Sequence, residues 1–187
     1  MRIFAAVLAV ALAAGLSSSA VAAPGALPAP NVKVGDPALL FSLPAINEEA
    51  ALRAVARPNV ALSDFTGVLP GFPARVVVVH FVDRRAAEGQ LQVINRLQKR
   101  YGNRGARFVA ILVDNSELAT LAEWVESQRL DFPVLRDAHR VVADRYGVQR
   151  FPLTVIVDST GDIDAIGAPT DTLETSIEAQ ILPFLSN

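Results

Sequence analysis

Two adjacent arginines, Arg84 and Arg85, are the first candidates for chemistry in this sequence. They follow Asp83, a residue type that caps helices, at the predicted start of a helix. Guanidinium groups beside the positive end of a helix favour an anion, so the pair predicts a docking place for an acidic peptide or a small anion. A charged, solvated loop is the simpler interpretation of the same residues.

The titratable groups nearest to these arginines are His80, Asp83 and Glu88. They could serve acid–base catalysis, so a non-thiol enzyme stays an alternative. His80 lies in an apolar run, which favours a buried, neutral, hydrogen-bonded histidine because burial disfavours the charged form. The other histidine, His139, is expected at the surface. Because the two histidines lack the spacing of a metal site, the sequence predicts neither a metal nor a cofactor.

The composition excludes several classes of protein. The 187 residues include no cysteine, which removes disulfides, thiolate metal sites, iron–sulfur clusters and thiol nucleophiles. The formal net charge of −2 offers no basic surface, so a nucleic-acid partner is not expected. The length fits one domain behind a leader.

Residues 1–23 have the pattern of a secretory signal peptide. Arg2 precedes an uncharged apolar run over residues 3–16, which is shorter than the ~20 residues that a membrane span needs. Small residues then lead to a predicted cleavage site after about Ala22 or Ala23, and residues 24–33 form a Pro/Ala-rich linker. We therefore expect a periplasmic or secreted protein with no stable membrane span after cleavage. An uncleaved signal anchor is the alternative.

The remaining chain alternates between strand and helix patterns. A β-branched run at 75–82, apolar on both faces, predicts a central strand covered by helices. Strands separated by helices indicate a parallel core, and a late hairpin adds antiparallel strands. The other predicted strands cover 39–43, 59–65, 107–113, 132–135, 153–157 and 163–166, and the predicted helices cover 48–55, 86–101, 118–128, 141–146 and 173–185.

Four groups of motifs in one order carry a resemblance to a known family. They are 34–37 with 41–44, 62–67, 132–135 with Asp137, and 146–148 with 151–152 and 157–161. Together they resemble the redoxin branch of the thioredoxin-like superfamily, which includes thiol-specific antioxidants and extracytoplasmic thiol-disulfide oxidoreductases. The resemblance implies an α/β thioredoxin-like domain over 34–187. It would have a central mixed sheet flanked by helices and an N-terminal β-hairpin extension.

The family's reactive cysteines are missing from this chain. The resemblance places Cys-x-x-Cys just after the first central strand, where Ala86 and Gly89 stand. Neither side chain can ionise or attack a disulfide, so thiol redox chemistry within this chain is ruled out. His80 occupies the place where thioredoxins carry a buried acid, and without a thiol it has no such role to serve.

The resemblance also implies a cis bond before Pro152. In the family, the backbone of the preceding residue, here Phe151, pairs with an extended substrate segment, and this recognition needs no cysteine. A proline kept only because the fold is built around the kink is the structural alternative.

Trp124 is expected to be half-buried as packing. The predicted partner-binding residues are Arg84, Arg85, Glu88, Arg150, Phe151 and Pro152.

The sequence thus predicts an exported redoxin-family protein that lacks redox-active cysteines. Its predicted role is to bind a protein or peptide of the cell envelope. Two alternatives stay open: a redox role with cysteines supplied by a partner, and a non-thiol enzyme on the same scaffold.

Overall fold

A computed structural model of the chain describes residues 30–167 and 172–186. The predicted signal peptide and most of the predicted linker lie outside these residues, so both stay predictions. The described helices are α1 (Glu48–Val55), α2 (Arg84–Tyr101), α3 (Leu118–Ser127), α4 (Val141–Tyr146) and α5 (Leu173–Leu185). The described strands are β1 (Ser42–Pro44), β2 (Asn59–Ala61), β3 (Val76–Val82), β4 (Ala106–Leu112), β5 (Val134–Arg136), β6 (Leu153–Asp158) and β7 (Ile163–Gly167).

Five strands form one mixed sheet in the order β5-β4-β3-β6-β7. β3 is central and pairs in parallel with β4 and antiparallel with β6. β5 extends the parallel half beside β4, and β7 extends the antiparallel half beside β6. This mixed sheet between helices confirms the predicted fold class.

Two apolar layers cover the sheet, one on each face. Because side chains alternate along a strand, Val77, Val79 and Phe81 of β3 pack against α1, α4 and the N-terminal segment. Val76 and Val78 face α2, α3 and α5 instead. All seven residues of β3 are buried, which is why the sequence there is apolar without alternation except at His80.

The N-terminal segment reaches both edges of the sheet. At the β7 edge, the Gly35 N–H donates to the Ile163 carbonyl at 2.8 Å. At the β5 edge, the Ile46 N–H donates to the Val134 carbonyl at 2.7 Å. Between these points lies β1, which pairs antiparallel with β2 as a separate two-stranded sheet. Helix α1 joins the two strands, so the extension is a strand–helix–strand unit.

Three predicted strands differ from the structure by more than one residue, because the sequence signal there was apolar rather than periodic. The strand predicted at 59–65 ends at Ala61, and a short 3₁₀ helix over Leu62–Asp64 follows it. The strand predicted at 39–43 is Ser42–Pro44, and the one predicted at 132–135 is Val134–Arg136. In both places buried side chains just before the strand, such as Phe41 and Phe132, fill the core without joining a ladder. Among the described residues, no helix is long and apolar enough to cross a membrane.

Candidate functional site

Helix α2 begins directly after the central strand, and Asp83 caps it as expected. The Asp83 carboxylate accepts a hydrogen bond from the Ala86 N–H at 2.7 Å, and its carbonyl accepts one from the Ala87 N–H at 2.9 Å. The helix therefore starts at Arg84, two residues before the predicted start. The Asp83 carboxylate is committed to the backbone of the first turn.

The start of α2 is not the uninterrupted helix that the sequence predicted. Glu88 has ψ 123° and Gly89 has φ 80°, so a first turn is set off from the long part of the helix. A positive φ is strained for any residue with a Cβ, and glycine adopts it without that cost. Gly89, the residue that the resemblance places at the family's second cysteine, is thus required by the backbone.

Replacing Gly89 by alanine should destabilise the fold. We expect Gly89→Ala to lower the free energy of unfolding by about 1–2 kcal/mol, because a Cβ disfavours the left-handed conformation. Nothing lies within 4 Å of the added Cβ, so the loss would come from the backbone and not from a clash.

Gly71→Ala is the matched control for this prediction. Gly71 also has open space around an added Cβ, and its φ lies outside the strained positive range. Its replacement should leave stability unchanged or raise it slightly. Urea denaturation of both variants measures the difference, and equal stability of the two would contradict the strain at Gly89.

An open cavity of about 520 Å³ lies beside the first turn of α2. It brings together Arg84 and Arg85, which the sequence singled out, with Phe151 from the loop before β6. Arg140, just before α4, also lines it and was missed by sequence reasoning. Nothing in the sequence linked Arg140 to Phe151, because their contact depends on how α4 packs.

Two of the cavity's arginines lie over aromatic rings. The guanidinium carbon of Arg84 is 5.5 Å from the centroid of the Trp124 ring, and that of Arg140 is 5.3 Å from the Phe151 ring. Arg140 also donates to the Val148 carbonyl at 3.0 Å and to the Asp144 carboxylate at 3.2 Å. Stacking holds a guanidinium in place while leaving its N–H groups available to a ligand.

The cavity carries an excess of positive charge. Its charged residues are three arginines and two aspartates, Asp83 and Asp114. The Asp114 carboxylate accepts a hydrogen bond from the Ser116 N–H at 2.7 Å, so both acids serve backbone groups. Arg85 is exposed and forms no ion pair or hydrogen bond within the part of the chain that the structure describes.

His80 is buried beneath α2, away from the cavity. Its Nδ1 lies 2.9 Å from the Thr154 hydroxyl, and among the described residues its Nε2 has no hydrogen-bond partner. Burial lowers the pKa of His80 from 6.5 to about 4; the Gln90 side chain opposes this shift without completing a hydrogen bond of normal geometry. His80 is buried, as the sequence predicts, and the lowered pKa favours the neutral ring at neutral pH. Because burial explains the displaced pKa, the shift gives no support to acid–base catalysis.

The other predicted binding residues lie around the cavity rather than in it. None of the three residues Glu88, Arg150 and Pro152 lines the cavity. Glu88 and Arg150 are exposed beside it, and the Pro152 side chain is buried. The Phe151–Pro152 peptide bond is cis. Phe151 is half-buried and lies just before β6. Among the described residues, its backbone N–H and carbonyl form no hydrogen bond in the turns and loops.

No group of three or more His, Asp or Glu side chains within 30–167 and 172–186 is placed to hold a metal ion. The cavity's two carboxylates accept backbone hydrogen bonds, and its guanidinium groups suit an anionic ligand.

The AhpC/TSA family profile matches residues 34–166 of this sequence. The chain belongs to the AhpC/TSA family. A thiol-disulfide oxidoreductase ResA from Oceanobacillus iheyensis is 31% identical over 136 residues, which are 72% of this chain. The match covers 64% of that relative, slightly less than two thirds of its length. ResA from Geobacillus thermodenitrificans is 27% identical over 122 residues, covering 63% of this chain and 70% of the relative.

Solved structures share the fold of this AhpC/TSA chain. A protein from Chlorobium tepidum assigned as a thiol:disulfide interchange protein DsbE superposes with a TM-score of 0.68 at 23% identity, covering 82% of this chain and 99% of that one. The peroxidoxin BcpB of Mycobacterium tuberculosis has a TM-score of 0.61 at 19% identity, covering 82% and 97%. Against these relatives named for redox activity, this AhpC/TSA member contains no cysteine.

Proposed function

We propose that this chain is an exported, redox-inactive member of its family that binds an extended peptide or protein segment in the cell envelope. The cavity formed by Arg84, Arg85, Arg140 and Phe151 carries this proposal, because guanidinium groups and an aromatic ring recognise a ligand without any thiol. The relatives' names describe thiol-disulfide exchange. A chain without cysteine cannot carry out that exchange, but it can still bind the protein or peptide that would take part in it.

The segment before β6 is the best placed to hold an extended chain. Its Phe151 backbone is unused among the described hydrogen bonds, and its ring is half-buried at the cavity. The N-terminal segment already pairs with parts of both outer strands, β5 and β7. Strand addition at those covered positions is blocked, so we place the ligand across the Phe151 segment.

Export is tested by the mature N-terminus. Mass spectrometry of the protein recovered from the envelope fraction should show a chain that begins near residue 23 or 24. A chain that retains residues 1–23 in the membrane fraction would support the signal anchor instead.

Removing the Phe151 ring should weaken peptide binding. Peptides selected from a random display library by the purified mature protein would be titrated against wild type and Phe151→Ala. We expect about a tenfold rise in Kd, since buried aromatic groups dominate such interfaces.

Phe184→Ala is the matched control, because Phe184 is also half-buried but packs on the opposite face of the sheet. Thermal melts of both variants separate lost binding from lost folding. Unchanged affinity in a folded Phe151→Ala protein, or a library that yields no binders, would refute the proposal.

A further inference from the structure

We propose that the segment bound at this cavity is acidic, and that the arginines at the start of α2 recognise its carboxylates. This inference rests on the proposed function and adds the chemical class of its ligand. It starts from Arg84 and Arg85, which line the cavity without an ion pair in the described chain, whereas Arg140 is already paired with the Asp144 carboxylate at 3.2 Å.

The cavity's own acids do not neutralise its arginines. Asp83 is committed to the Ala86 N–H and Asp114 to the Ser116 N–H, both at 2.7 Å. Neither forms an ion pair with Arg84 or Arg85 within the described chain. The two guanidinium groups therefore keep their donors for an external anion.

The arginines are also held in different ways that suit one extended ligand. The guanidinium of Arg84 lies over the Trp124 ring, and that of Arg140 lies over the Phe151 ring. Arg85 lines the cavity and is exposed to solvent. A guanidinium fixed over a ring loses little further conformational freedom when it binds a carboxylate. Its N–H groups can also donate two parallel hydrogen bonds to the two carboxylate oxygens. An extended acidic segment across Phe151 would meet these groups from two sides of the cavity.

A selection experiment tests the charge of the ligand. The mature wild-type protein is used to select from an unbiased peptide library, and the fraction of Asp and Glu in the enriched peptides is compared with that in the starting library. We expect acidic enrichment, and we expect an enriched peptide to bind about tenfold more tightly than its Gln-substituted version. Raising the salt from about 0.01 M to about 0.5 M should reduce that preference.

Charge-matched variants locate the preference. Arg84→Gln/Arg85→Gln should lose the tenfold difference. Arg53→Gln/Arg129→Gln, which removes the same charge from a separate cavity beside α1 and α3, should keep it. A version of the peptide with an amidated C-terminus should bind as tightly as the free acid, because the inference assigns recognition to side-chain carboxylates.

The outcomes separate this inference from the proposed function. Enriched peptides without acidic residues, or a preference that survives in Arg84→Gln/Arg85→Gln, would overturn the inference and leave peptide binding intact. A library with no enriched peptides would overturn both.

Discussion

Acidification from neutral pH to about pH 4 should cost this protein about 3 kcal/mol of stability through His80 alone. The pKa of His80 is lowered from 6.5 to about 4 in the folded chain because the ring is buried. Between these values the unfolded chain binds a proton that the folded chain excludes, so acid favours unfolding. The contribution is fully present above pH 6.5 and is lost as the pH falls towards 4.

Urea unfolding of wild type and His80→Leu at several pH values measures this effect. Between neutral pH and pH 4, the free energy of unfolding should fall by about 3 kcal/mol more in wild type than in the variant. This comparison does not depend on how stable the two proteins are at neutral pH. His139→Leu is the control, because it removes the exposed histidine and should keep the wild-type pH dependence. A pH dependence that is the same in wild type and His80→Leu would contradict a buried, neutral His80.

Insulin reduction and peroxide consumption in the presence of this protein should not exceed those of the buffer and reductant alone. Both reactions need a thiolate as nucleophile, and no cysteine occurs anywhere in the 187 residues. The resemblance places the two cysteine positions at Ala86, which donates its N–H to Asp83, and at Gly89, which has φ 80°.

The Oceanobacillus iheyensis ResA, assayed in parallel, is the positive control, since it is named as a thiol-disulfide oxidoreductase. Activity above background by the pure protein would refute redox inactivity. Activity that arises only when envelope extract is added, and that is depleted with this protein, would instead favour the alternative in which a partner supplies the cysteines.

The strands and helices were predictable where the residue pattern reflects burial directly. β3 was expected at 75–82 and lies at Val76–Val82, because a β-branched run covered on both faces has no competing structure. The kink in α2 was missed because the residue pattern there does not reflect burial. The apolar spacing that predicted this helix begins at Leu91, after Gly89, so it describes only the part beyond the break.

The sequence also identified three of the four residues that define the candidate site. Arg84, Arg85 and Phe151 were predicted from their positions in motifs, and the structure brings them to one cavity. Arg140 and the contact of Arg84 with Trp124 were not predicted. Both depend on how a separate helix, α4 or α3, packs beside the loop, and no local spacing reports that distance.

The sequence by itself determined the fold class and the absence of thiol chemistry. Burial patterns follow from residue type, and a composition without cysteine holds in any conformation. Only the tertiary structure decided that Gly89 interrupts α2, and that arginines from two separate segments line one cavity with Phe151. These features arise from packing between distant segments, which fixes distances that a linear pattern does not contain.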